Sequence, residues 1–296
     1  MGLIAEAGGS PDGRGCDVCA GRLAPYRHDW LWRCDGCGVL HSTFPVAIPS
    51  EAGGEAMDEA MREVGLETLR AKNNARLLAR LKALTGTGGR FLDVGSGPGF
   101  LLSAAKAEGF EPEGVEPDAN TVAAARAHGA QVRHGFFPDV LDAGETFDVI
   151  VFNDVLEHIP GLAPALAACA AHVKPGGVLA LNCPDRRGFF FRVAASLDRL
   201  GIHGPYDRLW QRGLPSPHVW YFTAGNLAQA AARHGFALVG EARLEAVELD
   251  GLWQRIRYVK DQSLALSLAA YLFTLATYPL TRLFPADSTV CFFRRT

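Results

Sequence analysis

The chain has 296 residues, 48% of them hydrophobic and 21% charged, and a net charge of −3. That is apolar surface enough for a core of ordinary size, and it excludes a disordered or low-complexity chain. The near-neutral balance also speaks against a basic face built for nucleic-acid phosphates.

Residues 1–45 carry Cys16-Asp-Val-Cys19 and Cys34-Asp-Gly-Cys37, two CxxC knuckles separated by fourteen residues. The spacing is close to the four-cysteine zinc pattern, in which the thiolates of two tight turns reach one tetrahedral ion. About forty residues bury too little apolar surface to fold without such a staple, so Cys16, Cys19, Cys34 and Cys37 are expected to hold a structural Zn2+. A closed set of four ligands leaves no position for water or substrate. Disulfides fit less well: Cys169, Cys183 and Cys291 are scattered and no apolar leader stands ahead of the knuckles, which favours a reducing, cytoplasmic setting. His28 and His41 are expected at the surface.

Residues 46–85 read as a linker, with Pro and Gly over 45–54, followed by a helix over 57–84 whose Leu77, Leu78, Leu81 and Leu84 form one apolar stripe. Residues 91–100, FLDVGSGPGF, then run an apolar strand into Asp93, followed by Gly95, Gly97 and Gly99 at alternate positions and a helix-like segment. Glycines there let the backbone turn sharply and lie against a ligand. The dinucleotide fingerprint GxGxxG would place its third glycine at residue 100, which is Phe. The spacing GxGxG behind an acid instead resembles motif I of the class I S-adenosylmethionine-dependent methyltransferases.

Downstream segments extend that resemblance over roughly residues 70–245. FEPEGVEPD reads as a short strand ending in Glu116, about twenty residues beyond the glycines, where a carboxylate accepts the ribose hydroxyl hydrogens of a nucleoside. FDVIVFNDVLEHI carries the apolar run 149–152 of a strand buried on both faces. Its end, Asn153 and Asp154, lies where ligands sit in open α/β sheets. VKPGGVLALN places a Pro-Gly-Gly turn ahead of a fifth strand over 178–182. The resemblance implies an α/β fold: a Rossmann-like seven-stranded methyltransferase sheet over 86–296, strand order 3-2-1-4-5-7-6, helices on both faces and a small zinc ribbon in front. It implies S-adenosylmethionine as cofactor, held by Asp93, Gly95, Ser96, Gly97, Gly99, Glu116, Pro117, Phe136, Asn153 and Asp154. Similar ribbons precede methyltransferases of bacterial polysaccharide and natural-product pathways.

Residues 186–222 form an insert dense in aromatics, among them Phe189, Phe190, Phe191, Trp210, Trp220 and Tyr221. In the family such inserts roof the acceptor pocket, so these rings are expected to line it. His218 and His158 are candidate general bases, with Asp154 orienting; His158 belongs to a string, DVLEHI, that fits a structural or cofactor-side role better. The absence of an NPPY-type string after strand four argues against an amide or adenine nitrogen acceptor. The expected reaction is methyl transfer to oxygen of a small-molecule, sugar or lipid-linked glycan acceptor. Ribosomal RNA methylation guided by the ribbon, and a non-catalytic S-adenosylmethionine-binding module, are the alternatives.

The last departure from a minimal domain is the apolar helical insert over 255–285. Residues 262–281 are twenty without a charge, between Arg255, Arg257 and Lys260 on one side and Arg282 on the other. At 100° per residue Ser263, Ser267, Thr274, Thr277 and Thr281 fall within an arc of about 80°. A helix with one polar stripe, inserted between strands six and seven, either packs on the domain or lies in the membrane interface as a peripheral contact on the inner face. Its basic flanks tilt toward anionic lipid.

Overall fold

The structure is a computed structural model, and it describes residues 15–47, 58–86, 88–258 and 262–296. Most of the linker expected over 45–54 lies outside the described residues. Among the described residues three short strands come first: β1 (Leu23–Tyr26), β2 (His28–Cys34) and β3 (Leu40–Ser42). Helix α1 (Glu59–Thr85) follows, its first turn capped by the Asp58 carboxylate, which accepts the Met61 N–H at 3.0 Å. Then come β4 (Arg90–Val94), α2 (Phe100–Ala107), β5 (Glu111–Glu116), α3 (Ala119–Ala127), β6 (Val132–His134), β7 (Phe147–Asn153), α4 (Leu162–His172) and β8 (Val173–Pro184). The remainder is α5 (Phe189–Arg199), α6 (Gly204–Leu209), β9 (Trp220–Tyr221), α7 (Ala224–Ala232), β10 (Phe236–Leu244), α8 (Leu252–Arg257), α9 (Leu264–Thr277) and β11 (Ser288–Arg295).

Seven strands form one sheet in the order β6-β5-β4-β7-β8-β11-β10, which is the expected 3-2-1-4-5-7-6. The five from β6 to β8 run parallel, and β11 runs antiparallel between β8 and β10. The period of two along a strand decides which side chains meet which layer. On β7, Val149 and Val151 join Leu77, Leu78 and Leu81 of α1 and Leu101 of α2. Ile150 and Phe152 point the other way, to Leu162, Leu166 and Cys169 of α4 and Leu227 of α7. Both faces of β7 are therefore dry, as its unbroken apolar run requires. The Pro-Gly-Gly turn expected ahead of the fifth strand is not a turn. It lies inside β8, where the β7–β8 register shifts and Gly176 takes a φ of +76°. The strand absorbs the extra residues as a bulge.

The amino-terminal strands do not stand apart. β3 pairs with β9 of the insert, giving a second sheet in the order β1-β2-β3-β9. The Ser42 N–H donates to the Val219 carbonyl and its hydroxyl to the His218 carbonyl, each at 2.8 Å. Trp210, Tyr206, Tyr221 and Phe191 of the insert are buried against Trp30, Leu31 and Leu40 of β2 and β3. Phe191, Trp210 and Tyr221 were expected to line the acceptor pocket; instead they form, with Tyr206, the core that joins the two segments, because a small sheet needs a large apolar partner to be dry on one side. His28 and His41 are half-buried rather than at the surface. His28 stacks on Trp30 with ring centroids 5.0 Å apart, and His41 meets Trp220 edge-on at 4.2 Å.

Candidate active site

The glycine loop leaves the carboxyl end of β4 at the middle of the parallel strands. Gly95, Gly97 and Gly99 all have positive φ, and Gly99 caps α2 in the left-handed conformation. A Cβ on Gly95 would meet the Val155 side chain at 2.6 Å, so that position is closed by the protein itself. A Cβ on Gly97 would meet nothing within 4 Å. The loop thus presents its backbone to open space at its middle glycine.

Three polar side chains gather behind it. Glu116, at the end of β5, accepts the Gly97 N–H at 3.0 Å through Oε2 and the Asp118 N–H at 2.9 Å through Oε1. Each carboxylate oxygen keeps a lone pair for a further donor. Asp93 is only 3% exposed, and its Oδ1 has no hydrogen-bond partner; burial, and then the neighbouring Glu116 charge, push its carboxyl up to about 8. Ser96 Oγ is likewise buried and unpartnered. Pro117 and Phe136 are half-buried, and the Pro117 carbonyl bonds the His134 ring at 3.1 Å.

The carboxyl end of β7 makes the opposite wall. Asp154 is exposed with a φ of +57°. The Asn182 amide of β8 holds this corner, donating to Asn153 Oδ1 at 2.8 Å and to Asp154 Oδ1 at 3.0 Å. Protein walls around the open Asp154 carboxyl raise it to about 6 by desolvation, against the attraction of Arg255 on α8 and Arg70 on α1. Neither arginine was legible as a site residue: Arg255 read in the sequence only as a basic flank of the apolar helix, Arg70 carried no motif, and both come from segments far from β7. The short 3-10 turn Leu156–His158 follows, and His158 Nδ1 lies 3.0 Å from the Pro217 carbonyl, so it carries the proton and leaves Nε2 as the basic nitrogen. His218 is 6% exposed behind it, with ring centroids 4.8 Å apart. Its Nε2 meets the Gln211 amide at 2.9 Å, and burial, then the nearby His158, hold its ring well below the usual histidine range. Glu157 is buried between them and the core, its carboxyl raised well above the usual range by desolvation and then by Asp154.

These donors and acceptors fit S-adenosylmethionine. Gly97 offers room, Glu116 offers two acceptor oxygens, and the unpartnered Asp93 carboxyl sits where a cation would restore its charge. A family model described as a methyltransferase domain matches residues 56–241, and the chain belongs to that family. It is an S-adenosylmethionine-dependent methyltransferase of class I, with the Rossmann-like sheet that class uses. Its relatives include a ubiquinone biosynthesis O-methyltransferase of Nitrobacter winogradskyi, 29% identical over 57% of this chain and 62% of that protein. The match thus spans less than two thirds of that relative. The namesake from Azorhizobium caulinodans is 28% identical over 73% of this chain and 78% of its own. Among solved structures, an S-adenosylmethionine-dependent methyltransferase from Thermotoga maritima superposes with a TM-score of 0.52 over 80% of this chain and 95% of its own, at 16% identity.

The four cysteines lie together at the far end of β2. Cys16 Sγ and Cys37 Sγ are 3.7 Å apart, Cys19 Sγ and Cys34 Sγ 3.4 Å, and all four lie within 4.8 Å of one another. Tetrahedral metal–thiolate bonds of about 2.3 Å separate sulfurs by about 3.8 Å, so the set suits one such ion. A Cβ on Gly21 would sit 3.2 Å from both the Cys19 and Cys34 sulfurs, so a side chain here would press on the thiolate cluster. The Asn226 amide of α7 donates to the Cys37 carbonyl at 3.0 Å and ties the knuckle to the methyltransferase sheet.

Proposed function

We propose that the chain methylates a hydroxyl oxygen of a small-molecule, sugar or lipid-linked glycan acceptor, with His158 as the general base. The observation that carries this reading is the Nδ1 bond of His158 to the Pro217 carbonyl, three residues past Val155, whose side chain closes over the glycine loop at Gly95. S-adenosylmethionine, when bound, supplies a methyl group on an electrophilic sulfonium. The protein then has to hold the acceptor oxygen in line, exclude water and take one proton.

Glu116 and the Gly97 backbone hold the cofactor's nucleoside, and Asp93 compensates its positive charge. Asp154, fixed by Asn182, accepts a hydrogen bond from the acceptor and orients it. His158 Nε2 takes the hydroxyl proton. His218 is a positioning residue: it is buried behind His158, faces Tyr221 edge-on at 5.3 Å and already engages Gln211. The names of the relatives at about 30% identity support an oxygen acceptor, and Cys16, Cys19, Cys34 and Cys37 are assigned a structural Zn2+.

The test is incubation with methyl-labelled S-adenosylmethionine and whole-cell extract including membranes, followed by phase partition, nuclease treatment and mass analysis. An O-methyl product in the organic or nuclease-resistant aqueous fraction is expected. His158→Ala should lower kcat by about 10²–10⁴-fold with little change in KM, whereas His218→Phe should keep most of it. Nuclease-sensitive label, or an N-methyl product, contradicts the assignment.

A further inference from the structure

Helix α9 is mounted the wrong way round for a helix meant to face water. Ser267, in its polar stripe, is 0% exposed and bonds Arg257 Nη1 at 3.3 Å, while Thr274, Thr277 and Thr281 are half-buried. Their hydroxyls are spent on helix carbonyls, Thr274 on Ala270 at 2.8 Å and Thr277 on Phe273 at 2.7 Å. The leucines point outward: Leu264 is 64% exposed, Leu272 56% and Leu283 77%, with Leu266, Leu268 and Phe273 between them. A soluble surface helix does the reverse, hiding its apolar stripe against the core. The helical run Leu264–Leu283 is long and apolar enough by composition to cross a membrane, yet only 6% of its most apolar window is buried. The strand that follows, β11, returns to the sheet between β8 and β10, so the run lies along the protein rather than leaving it.

The same surface continues onto the insert. Phe284 packs against Phe189 of α5 with ring centroids 5.3 Å apart, and Arg192 lies over the Phe284 ring at 5.5 Å. A groove lined by Phe189, Val193, Leu197, Leu200 and Phe284 runs between them, and Leu200 at its end is 76% exposed. Charge on these two segments has one sign. Arg192, Arg199 and Arg282 are exposed; of the carboxylates there among the described residues, Asp198 is buried against Arg27, His28 and His203, and Asp287 is turned inward to accept the Phe190 N–H at 2.8 Å.

We infer that the outer face of α9, with the adjoining end of α5, docks in the interface of an anionic lipid bilayer. Aliphatic side chains without hydrogen-bonding groups enter the acyl boundary, and the arginines meet headgroup phosphates. A second copy is the poorer occupant: an isologous contact sets this patch against itself, arginine toward arginine, while Asp198 and Asp287 are already engaged within the chain.

The experiment is co-sedimentation of the full, metal-loaded chain with vesicles of phosphatidylglycerol and phosphatidylcholine, and with phosphatidylcholine alone. The anionic vesicles should bind about tenfold more tightly, with the preference shrinking as salt rises. Leu272→Asp with Phe273→Asp should cut binding at least about tenfold while S-adenosylmethionine affinity stays unchanged, which certifies the fold. Leu268→Asn serves the same purpose should the double variant misfold, and Arg192→Ala with Arg282→Ala should erase the preference for anionic lipid. No sedimentation with either vesicle, equal binding by the aspartate variant, or a dimer in light scattering that this variant splits would each overturn the inference.

Discussion

Asp93 shows how one buried carboxyl can report on its ligand. Its pKa of about 8 lies far above that of an exposed aspartate, so between about pH 4 and pH 8 the folded protein holds a proton that the unfolded chain has lost. Stability contributed in this way falls as pH rises through that window. A bound cation reverses the preference, because it favours the charged carboxylate. The affinity for S-adenosylmethionine should therefore rise by up to about tenfold per pH unit from pH 6 to 8 and level off above it. Calorimetry across that range checks this, and Asp93→Asn should flatten the profile; an unchanged slope in the variant would assign the proton elsewhere. The acid and the glycines were legible because strand, turn and helix are contiguous in sequence. Arg70 and Arg255 were not, since their approach to Asp154 depends on how α1 and α8 cross the open end of the sheet.

At the scale of elements, the parallel strands announced themselves through apolar runs at regular spacing, and even the order of β11 and β10 followed from the family resemblance. The pairing of β3 with β9 left no such mark. It joins residues 40–41 to 220–221, and a two-residue strand carries no periodicity. Helix α9 was half legible: the polar stripe can be counted at 100° per residue, but only packing decides whether the stripe faces in or out. Asp198 is the chemical clasp between these segments. Arg27 reaches it at 2.9 Å and His203 at 2.7 Å, and although burial pulls its carboxyl up, His203, Arg27 and His28 hold it below the usual range. Removing it leaves Arg27 and both imidazoles without the buried acceptor they share. Asp198→Ala should cost about 3 kcal/mol, read as a shift of the denaturant midpoint at constant slope. A loss under about 0.5 kcal/mol would show that the aromatic contacts alone hold the two segments together.

Across the whole molecule, the cysteine cluster, the insert and the sheet act as one mechanical unit. The knuckle is tied to α7 through Asn226, and its sheet is completed by β9, two residues from His218. Removal of the proposed Zn2+ by a strong chelator should therefore do more than release the amino-terminal segment. Hydrogen exchange should quicken in β2, β3 and β9 and in α5, and methyl transfer should fall, while S-adenosylmethionine binding survives because β4 and β5 are held by strand pairing within the seven-stranded sheet. Protection lost at β4 as well would mean that the sheet itself depends on the metal. The central claim is that the loop from Gly95 to Gly99, with Glu116 behind it, is where S-adenosylmethionine binds. The most direct measurement is a calorimetric titration of S-adenosylmethionine into the wild-type chain and Gly97→Arg, with bound metal quantified in both. Gly97 has open space in front of it, so the arginine side chain should fill the cradle, abolishing detectable binding while the metal content stays the same. Retained affinity in a metal-replete, folded Gly97→Arg protein would contradict the account.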